Sequence, residues 1–117
     1  MKTILIVEDV DLNIDLLRQI LEDDYDLLVA RDGVQGVALA ETKRPDLILM
    51  DVSLPGMDGY EAMRTLRQKF PALPIIGLSA HAMSGDVERA RAAGCSDYLT
   101  KPVDEDLLLQ KLTQYLG

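Results

Sequence analysis

Three short runs of this chain are wholly apolar: Ile4–Val7, Leu27–Ala30 and Leu47–Met50. None alternates with polar residues, as expected of parallel strands covered on both faces. Pro74–Ser79 and Asp97–Thr100 complete a set of five predicted strands. Between them the apolar positions fall at helical spacing. In a helix over Leu12–Glu22, Leu12, Ile14, Leu16, Leu17, Ile20 and Leu21 are expected on one broad face. Asn13 interrupts that face. It sits in the first turn beside an acidic strand end, where its amide either braces the loop backbone or is an ordinary helix-start asparagine.

Asp32-Gly33 opens a second helix, Val34–Lys43, and a third over Tyr60–Lys69 directs Met63, Leu66 and Phe70 inward. A fourth, Ser84–Ala93, draws its apolar content mostly from alanine, so it buries little area and is expected to be the loosest. In the last, Asp104–Tyr115, the residues Leu108, Leu109, Leu112, Tyr115 and Leu116 share a face, with Leu107 and Val103 expected partly exposed. Strand and helix alternate five times. That order calls for a parallel sheet with right-handed crossovers and helices on both faces.

At 117 residues the chain is read as one domain, 1–117, with a hydrophobic fraction of 48% and a charged fraction of 27%. The net charge of −8 argues against nucleic acid and anionic membrane as direct partners. No apolar run approaches the ~20 residues of a membrane span, and Ile4–Val7 runs into Glu8 and Asp9 too soon for a signal peptide. The lone Cys95 allows no internal disulfide and fits a reducing cytoplasm as a packed, inert thiol.

Chemistry concentrates where the strands stop. The first ends in Glu8-Asp9, the central one in Asp51, the fourth in Ser79, and the fifth is closed by Lys101-Pro102. Leu54-Pro55-Gly56 cannot extend the central strand, and sites in open α/β sheets gather outside the carboxyl ends of the strands. Alone, Asp51 could be a helix cap, a satisfied turn residue or a nucleophile. The other strand ends weigh on this. At ~4 Å and an effective dielectric of ~20, each pair of like charges costs about 4 kcal/mol. A proton, Lys101 or a hard divalent cation must offset that, and clustered carboxylate oxygens suit Mg²⁺. With Lys101 and the Ser79 hydroxyl beside it, such an edge suits transfer of phosphate onto the Asp51 carboxylate.

The chain resembles a response-regulator receiver domain of two-component phosphorelay systems. The likeness rests on Glu8-Asp9, on Asp51 after Leu-Ile-Leu-Met, on Leu54-Pro-Gly-Met-Asp-Gly59, on Ser79-Ala80, and on Tyr98-Leu-Thr-Lys-Pro102. It implies a flavodoxin-like, doubly wound five-stranded parallel sheet of order 2-1-3-4-5 with five helices. It implies a bacterial, cytoplasmic phosphoprotein in which Asp51 accepts phosphate from a phosphohistidine. Asp9, Asp51 and the Ser53 backbone carbonyl would ligate Mg²⁺, or Mn²⁺, with Glu8 acting through a water. Lys101 would pair with the carboxylate and then the phosphoryl group, and the bond to Pro102 would be cis. Ser79 would follow the phosphoryl oxygen, and Tyr98 would swing inward. Ala80 and His81 would tune the lifetime of the phosphoryl group, His81 as a loop residue shaping access. Glu8 stands where many relatives carry Asp.

The implied partners are a histidine kinase or histidine phosphotransferase, meeting the first helix and nearby loops, and an output protein on the face of the fourth and fifth helices. No nucleic-acid contact or membrane insertion is implied. Such a protein is a regulator rather than an enzyme, promoting only its own phosphoryl transfer and dephosphorylation. The end at Gly117 suits a stand-alone regulator, or a piece of a hybrid kinase. Two other aspects of the chemistry weigh against rivals. A haloacid-dehalogenase-type phosphatase needs a second Asp two residues after its nucleophile, where this chain has Ser53. A flavodoxin-like redox protein needs a phosphate-binding first loop, where Glu8-Asp9-Val-Asp11 would repel an anion. A receiver-like module working without phosphate remains a further reading, against which the complete acid, hydroxyl and lysine set argues.

Overall fold

Each buried apolar run forms one strand of a single sheet. The computed structural model describes residues 1–52, 59–79 and 86–117, Asp86 by its backbone alone. In chain order the elements are β1 (Thr3–Val7), α1 (Asp11–Leu21), β2 (Asp26–Ala30), α2 (Gly33–Lys43), β3 (Leu47–Asp51), α3 (Gly59–Lys69), β4 (Ile75–Ser79), α4 (Asp86–Ala93), β5 (Asp97–Thr100) and α5 (Glu105–Leu116). The sheet order is β2-β1-β3-β4-β5, and every neighbouring pair is parallel. This is the flavodoxin-like doubly wound α/β fold, with five strands and five helices among the described residues, as expected.

The period of two along each strand divides the core. Ile4, Ile6, Leu47, Leu49, Ile76, Leu78 and Leu99 face one way, packed with Leu17 and Leu21 of α1 and Leu108 and Leu112 of α5. Leu5, Val7, Ile48, Met50 and Ile75 face the other, against Ala40 of α2, Met63 and Leu66 of α3, and Ala90 and Ala93 of α4. As its composition requires, α4 brings only small side chains to this core. Arg89 of α4 also stacks over the Tyr60 ring of α3, 4.2 Å from its centroid.

Helix α1 departs from the sequence reading. Ile14, Leu17 and Leu21 are buried, but Leu12 is 67% and Leu16 47% exposed. Six apolar positions make a band wider than one sheet face can cover, and Leu12 stands about 170° from the centre of the buried stripe at 100° per residue. Helix α5 follows the pattern: Leu108 and Leu112 are buried, Leu109, Tyr115 and Leu116 pack at the core margin, and Leu107 is exposed. Phe70 packs partly buried beside Met63 and Leu66. The expected first residues of the fourth helix, Ser84 and Gly85, lie outside the described residues.

Polar ties that the apolar pattern did not indicate fix the sheet margin. Arg67 donates to the carbonyls of Gly94, Phe70 and Pro71 at 2.9 to 3.1 Å. Asp97 at the start of β5 accepts from Lys111 Nζ at 2.9 Å and from the Tyr115 hydroxyl at 3.3 Å. Burial alone would raise the Asp97 pKa, but Lys111, the Tyr98 amide and Tyr115 outweigh it and hold the carboxyl below its ordinary value. A depressed carboxyl stabilises the fold above its unfolded pKa and loses that contribution as pH falls through the folded one. Asp97→Asn is therefore expected to cost about 1 kcal/mol at neutral pH. In denaturant titrations across pH that deficit should close as pH drops below about 4; a deficit that is constant with pH would contradict the assignment.

Candidate functional site

The register of the sheet assembles one acidic edge. Val7 pairs with Met50 across β1 and β3, so the next residues, Glu8 and Asp51, continue side by side. Val7 and Met50 both face α2 and α3, and the alternation therefore turns Glu8 and Asp51 to the face of α1 and α5. Leu99 faces α1 and α5 as well, so Lys101, two residues on, follows it. Backbone bonds carry the ladder past the strand ends: Glu8 N donates to Ala30 O at 2.9 Å, Val52 N to Leu78 O at 3.0 Å, and Lys101 N to Ser79 O at 2.7 Å. Each functional side chain thus leaves a backbone fixed on a neighbouring strand.

At this edge Lys101 Nζ lies 3.0 and 2.9 Å from the two Glu8 carboxylate oxygens and 3.1 Å from Asp51 Oδ2. Glu8 is fully buried and Asp51 only 3% exposed, so both ion pairs sit largely out of water. Carboxylate oxygens of Glu8, Asp9 and Asp51 lie within 4.8 Å of one another, with Asp9 at the solvent side. Ser79 ends β4, buried, next to this group, and the Lys101-Pro102 bond is cis. Gly59 begins α3 against the end of β3; a Cβ there would press into Val52 Cα and the Asp51 carbonyl oxygen, so only glycine lets α3 start so close.

One ammonium cannot balance three carboxylates. Burial raises the Glu8 pKa and the adjoining Asp51 adds to it, while Lys101 and Asn13 offset this only in part. For Lys101, burial works toward a lower pKa, but Glu8 and Asp51 outweigh it and hold the ammonium above its ordinary value. The lysine stays charged, one cation among three clustered carboxyl groups. An all-oxygen donor set with that excess matches a hard divalent cation, and the cluster could hold a metal.

Asn13 is the residue whose role the sequence left open, and the structure gives a different answer from either expectation. Its Nδ2 donates at 2.6 Å to the Glu8 side chain rather than to loop backbone, because α1 covers the face onto which Glu8 turns. Its place amid an apolar helix pattern was the signal. Tyr98, on the opposite face from Lys101, is half-buried, and its ring lies over the bare backbone of Gly77. Cys95 is buried and its thiol pushed up by that burial, as befits a packed thiol. Ser53, Ala80 and His81, named from the sequence, lie outside the described residues. No helix is long and apolar enough to cross a membrane among the described residues.

Comparison with known proteins places this geometry. The chain matches the response regulator receiver domain family over residues 4–113 and belongs to that family, whose members are phosphorylation switches of two-component signalling. The polar-differentiation response regulator DivK of Brucella anthropi is 39% identical over 119 residues, covering 99% of this chain and 97% of the relative. Among solved structures, the receiver domain of a sensor histidine kinase from Pseudomonas aeruginosa, with a magnesium ion coordinated in its active-site cleft, superposes with a TM-score of 0.92. It is 39% identical and the match covers 99% of this chain and 98% of that one. A chemotaxis protein of Vibrio cholerae superposes equally well, with a TM-score of 0.92 at 28% identity, over 99% of both chains.

Lys101→Met leaves two buried carboxylates with no cation between them, and should destabilise the metal-free protein by about 3 kcal/mol at neutral pH. A carboxyl whose folded pKa is raised favours folding at low pH and withdraws that support as pH rises through the raised value. The deficit, read by urea unfolding without divalent metal, should therefore shrink as pH falls toward the ordinary glutamate range. Equal stability of the two proteins at pH 7 would contradict the bridging role of Lys101.

Proposed function

We propose that this chain is a signalling switch in which Asp51 accepts a phosphoryl group from a phosphohistidine. The N–P bond of the donor breaks as an O–P bond forms on an Asp51 carboxylate oxygen. The imidazole leaves with the electron pair of the broken bond and takes up a proton. The observation that carries this reading is the Lys101 ammonium, held against Asp51 and Glu8 in a nearly dry site. A cation already bound to the acceptor carboxylate stands ready to bind the oxygens of the incoming group.

Asp9 and Asp51, the Ser53 carbonyl, and Glu8 through a water would hold Mg²⁺, or Mn²⁺; when bound, the metal supplies neutralisation of phosphoryl charge. The excess of negative charge at the edge supports this. Lys101 moves from carboxylate to phosphoryl oxygen, and Ser79 donates its hydroxyl to another. Phosphorylation brings about −1.5 to −2 charges, and each charge-assisted bond contributes ~1.5–3 kcal/mol. Moving a two-state equilibrium from 1:99 to 99:1 takes about 5.5 kcal/mol, so these bonds suffice when formed only in the active state. Tyr98, whose half-buried ring already lies over Gly77, then swings further inward, while Ala80 and His81 set how long the phosphoryl group survives.

Helix α4, which brings only Ala90 and Ala93 to the core, is the element that yields. The face of α4, β5 and α5, including the exposed Leu107, meets an output protein. The exposed Val10, Leu12 and Leu16 around the start of α1 give apolar surface to a histidine kinase or histidine phosphotransferase. The protein works in the bacterial cytoplasm as one receiver domain over 1–117. A second reading, a receiver carried by a hybrid histidine kinase, draws support from the likeness to the Pseudomonas kinase domain; the chemistry at Asp51 is the same in both.

Asp51→Asn should abolish covalent labelling by a phosphorylated donor kinase with the fold intact; labelling at wild-type stoichiometry would refute the acceptor. Beryllofluoride with Mg²⁺ should shift the amide resonances of α4 in the wild-type protein. No shift would favour a module that works without phosphate.

A further inference from the structure

Glu8 is fully buried and takes bonds from two donors with different obligations. Lys101 Nζ bonds both its oxygens but also bonds Asp51, so these acceptors share one ammonium. Asn13 Nδ2 bonds only Oε1, at 2.6 Å, the shorter of the two contacts to that atom. The asparagine is held in the first turn of α1, a helix anchored by buried Ile14, Leu17 and Leu21. A cleft of about 120 Å³ adjoins Glu8, Asn13 and Lys101, and its other walls include Leu17, Leu78 and Val103. Those walls carry no donor side chain, so among the described residues no other side chain lining the cleft can donate to Glu8.

The proposed function makes such a loss necessary. Bonds that Lys101 forms to a phosphoryl group are bonds withdrawn from Glu8. Beyond a metal-bound water, Asn13 is then the donor left to Glu8 among the residues lining the cleft, and a buried carboxylate short of donors is strongly disfavoured and would turn away from the cluster. We propose that Asn13 is a positioning residue that retains the Glu8 carboxylate at the acidic cluster when Lys101 passes to the phosphoryl group. This inference rests on the reading of Asp51 as a Mg²⁺-assisted phosphoacceptor. The side-chain hydrogen bond of Asn13 goes to Glu8, and the asparagine acts through that carboxylate. Metal sites depend on such outer partners, whose removal typically weakens binding about 10- to 100-fold.

Titration calorimetry with Mg²⁺ alone, at one neutral pH, tests it on the whole chain. Asn13→Ala should weaken Mg²⁺ binding about tenfold, and Asn13→Leu, which refills the space, should weaken it equally. In a Lys101→Met background, where Asn13 is the remaining donor to Glu8, the same Asn13→Ala change should weaken binding by a larger factor. A merely structural asparagine would lower thermal stability while leaving Mg²⁺ affinity unchanged, and that result overturns the proposal. An equal factor in both backgrounds also overturns it. In the wild-type protein, the Asn13 side-chain amide signals should persist, slowly exchanging, when beryllofluoride and Mg²⁺ are added. This measurement needs no variant to fold, and their collapse to the exchange rate of a free amide would overturn the role. If wild-type protein binds no Mg²⁺, the phosphoacceptor reading itself falls, and this inference with it; binding by wild type with unaltered binding by Asn13→Ala removes this inference alone.

Discussion

A single ammonium held between two buried carboxylates is the constraint on which the rest of this molecule depends. Asp51 ends the third strand, Lys101 follows the fifth, and Glu8 follows the first. They meet because β1, β3, β4 and β5 share one register in which every end lies at the same edge. Without the lysine, Glu8 and Asp51 would face each other unbalanced where water is nearly excluded. With it they are tolerated, though not neutralised. The clustered carboxyl groups could hold a cation, and on the proposed function the lysine is what would receive the oxygens of a phosphoryl group.

The two faces of the sheet divide the labour. Glu8, Asp51 and Lys101 turn toward α1 and α5, where large leucines seal the layer. Tyr98, Met63 and Leu66 lie on the other side, to which α4 adds only Ala90 and Ala93. Helix α4 is thus the most lightly anchored element of that layer. Stability of this kind is unequal by construction, and motion is expected where buried apolar area is least.

Much of this was legible in the sequence, and the reason is physical. Runs such as Leu47–Met50 have no polar residue to spare, so they can only be central strands, and whatever follows them must lie at the carboxyl edge. Glu8, Asp51 and Lys101 could thus be brought together before any coordinates. What escaped was direction. The helical wheel put Leu12 and Leu16 with the core, because a wheel counts apolar positions without knowing how wide the sheet is. It also could not tell whether the Asn13 amide bonds backbone or a side chain, since that depends on which way the pleat turns Glu8. The tie of Asp97 to Lys111 and Tyr115 joins residues far apart in the chain, with no local pattern to announce it.

In the proposed function Asp51, at the end of the middle strand, carries the phosphoryl group. Acyl phosphates, unlike carboxylates, are reduced by borohydride to the alcohol, so the residue that held phosphate becomes homoserine. Treating the protein with a phosphorylated histidine donor and Mg²⁺, reducing, and mapping peptides by mass spectrometry reads the position directly. Homoserine at position 51 and at no other aspartate is the predicted result; homoserine at Asp9 instead, or at no residue from a donor that has lost its phosphate to this chain, would contradict the account.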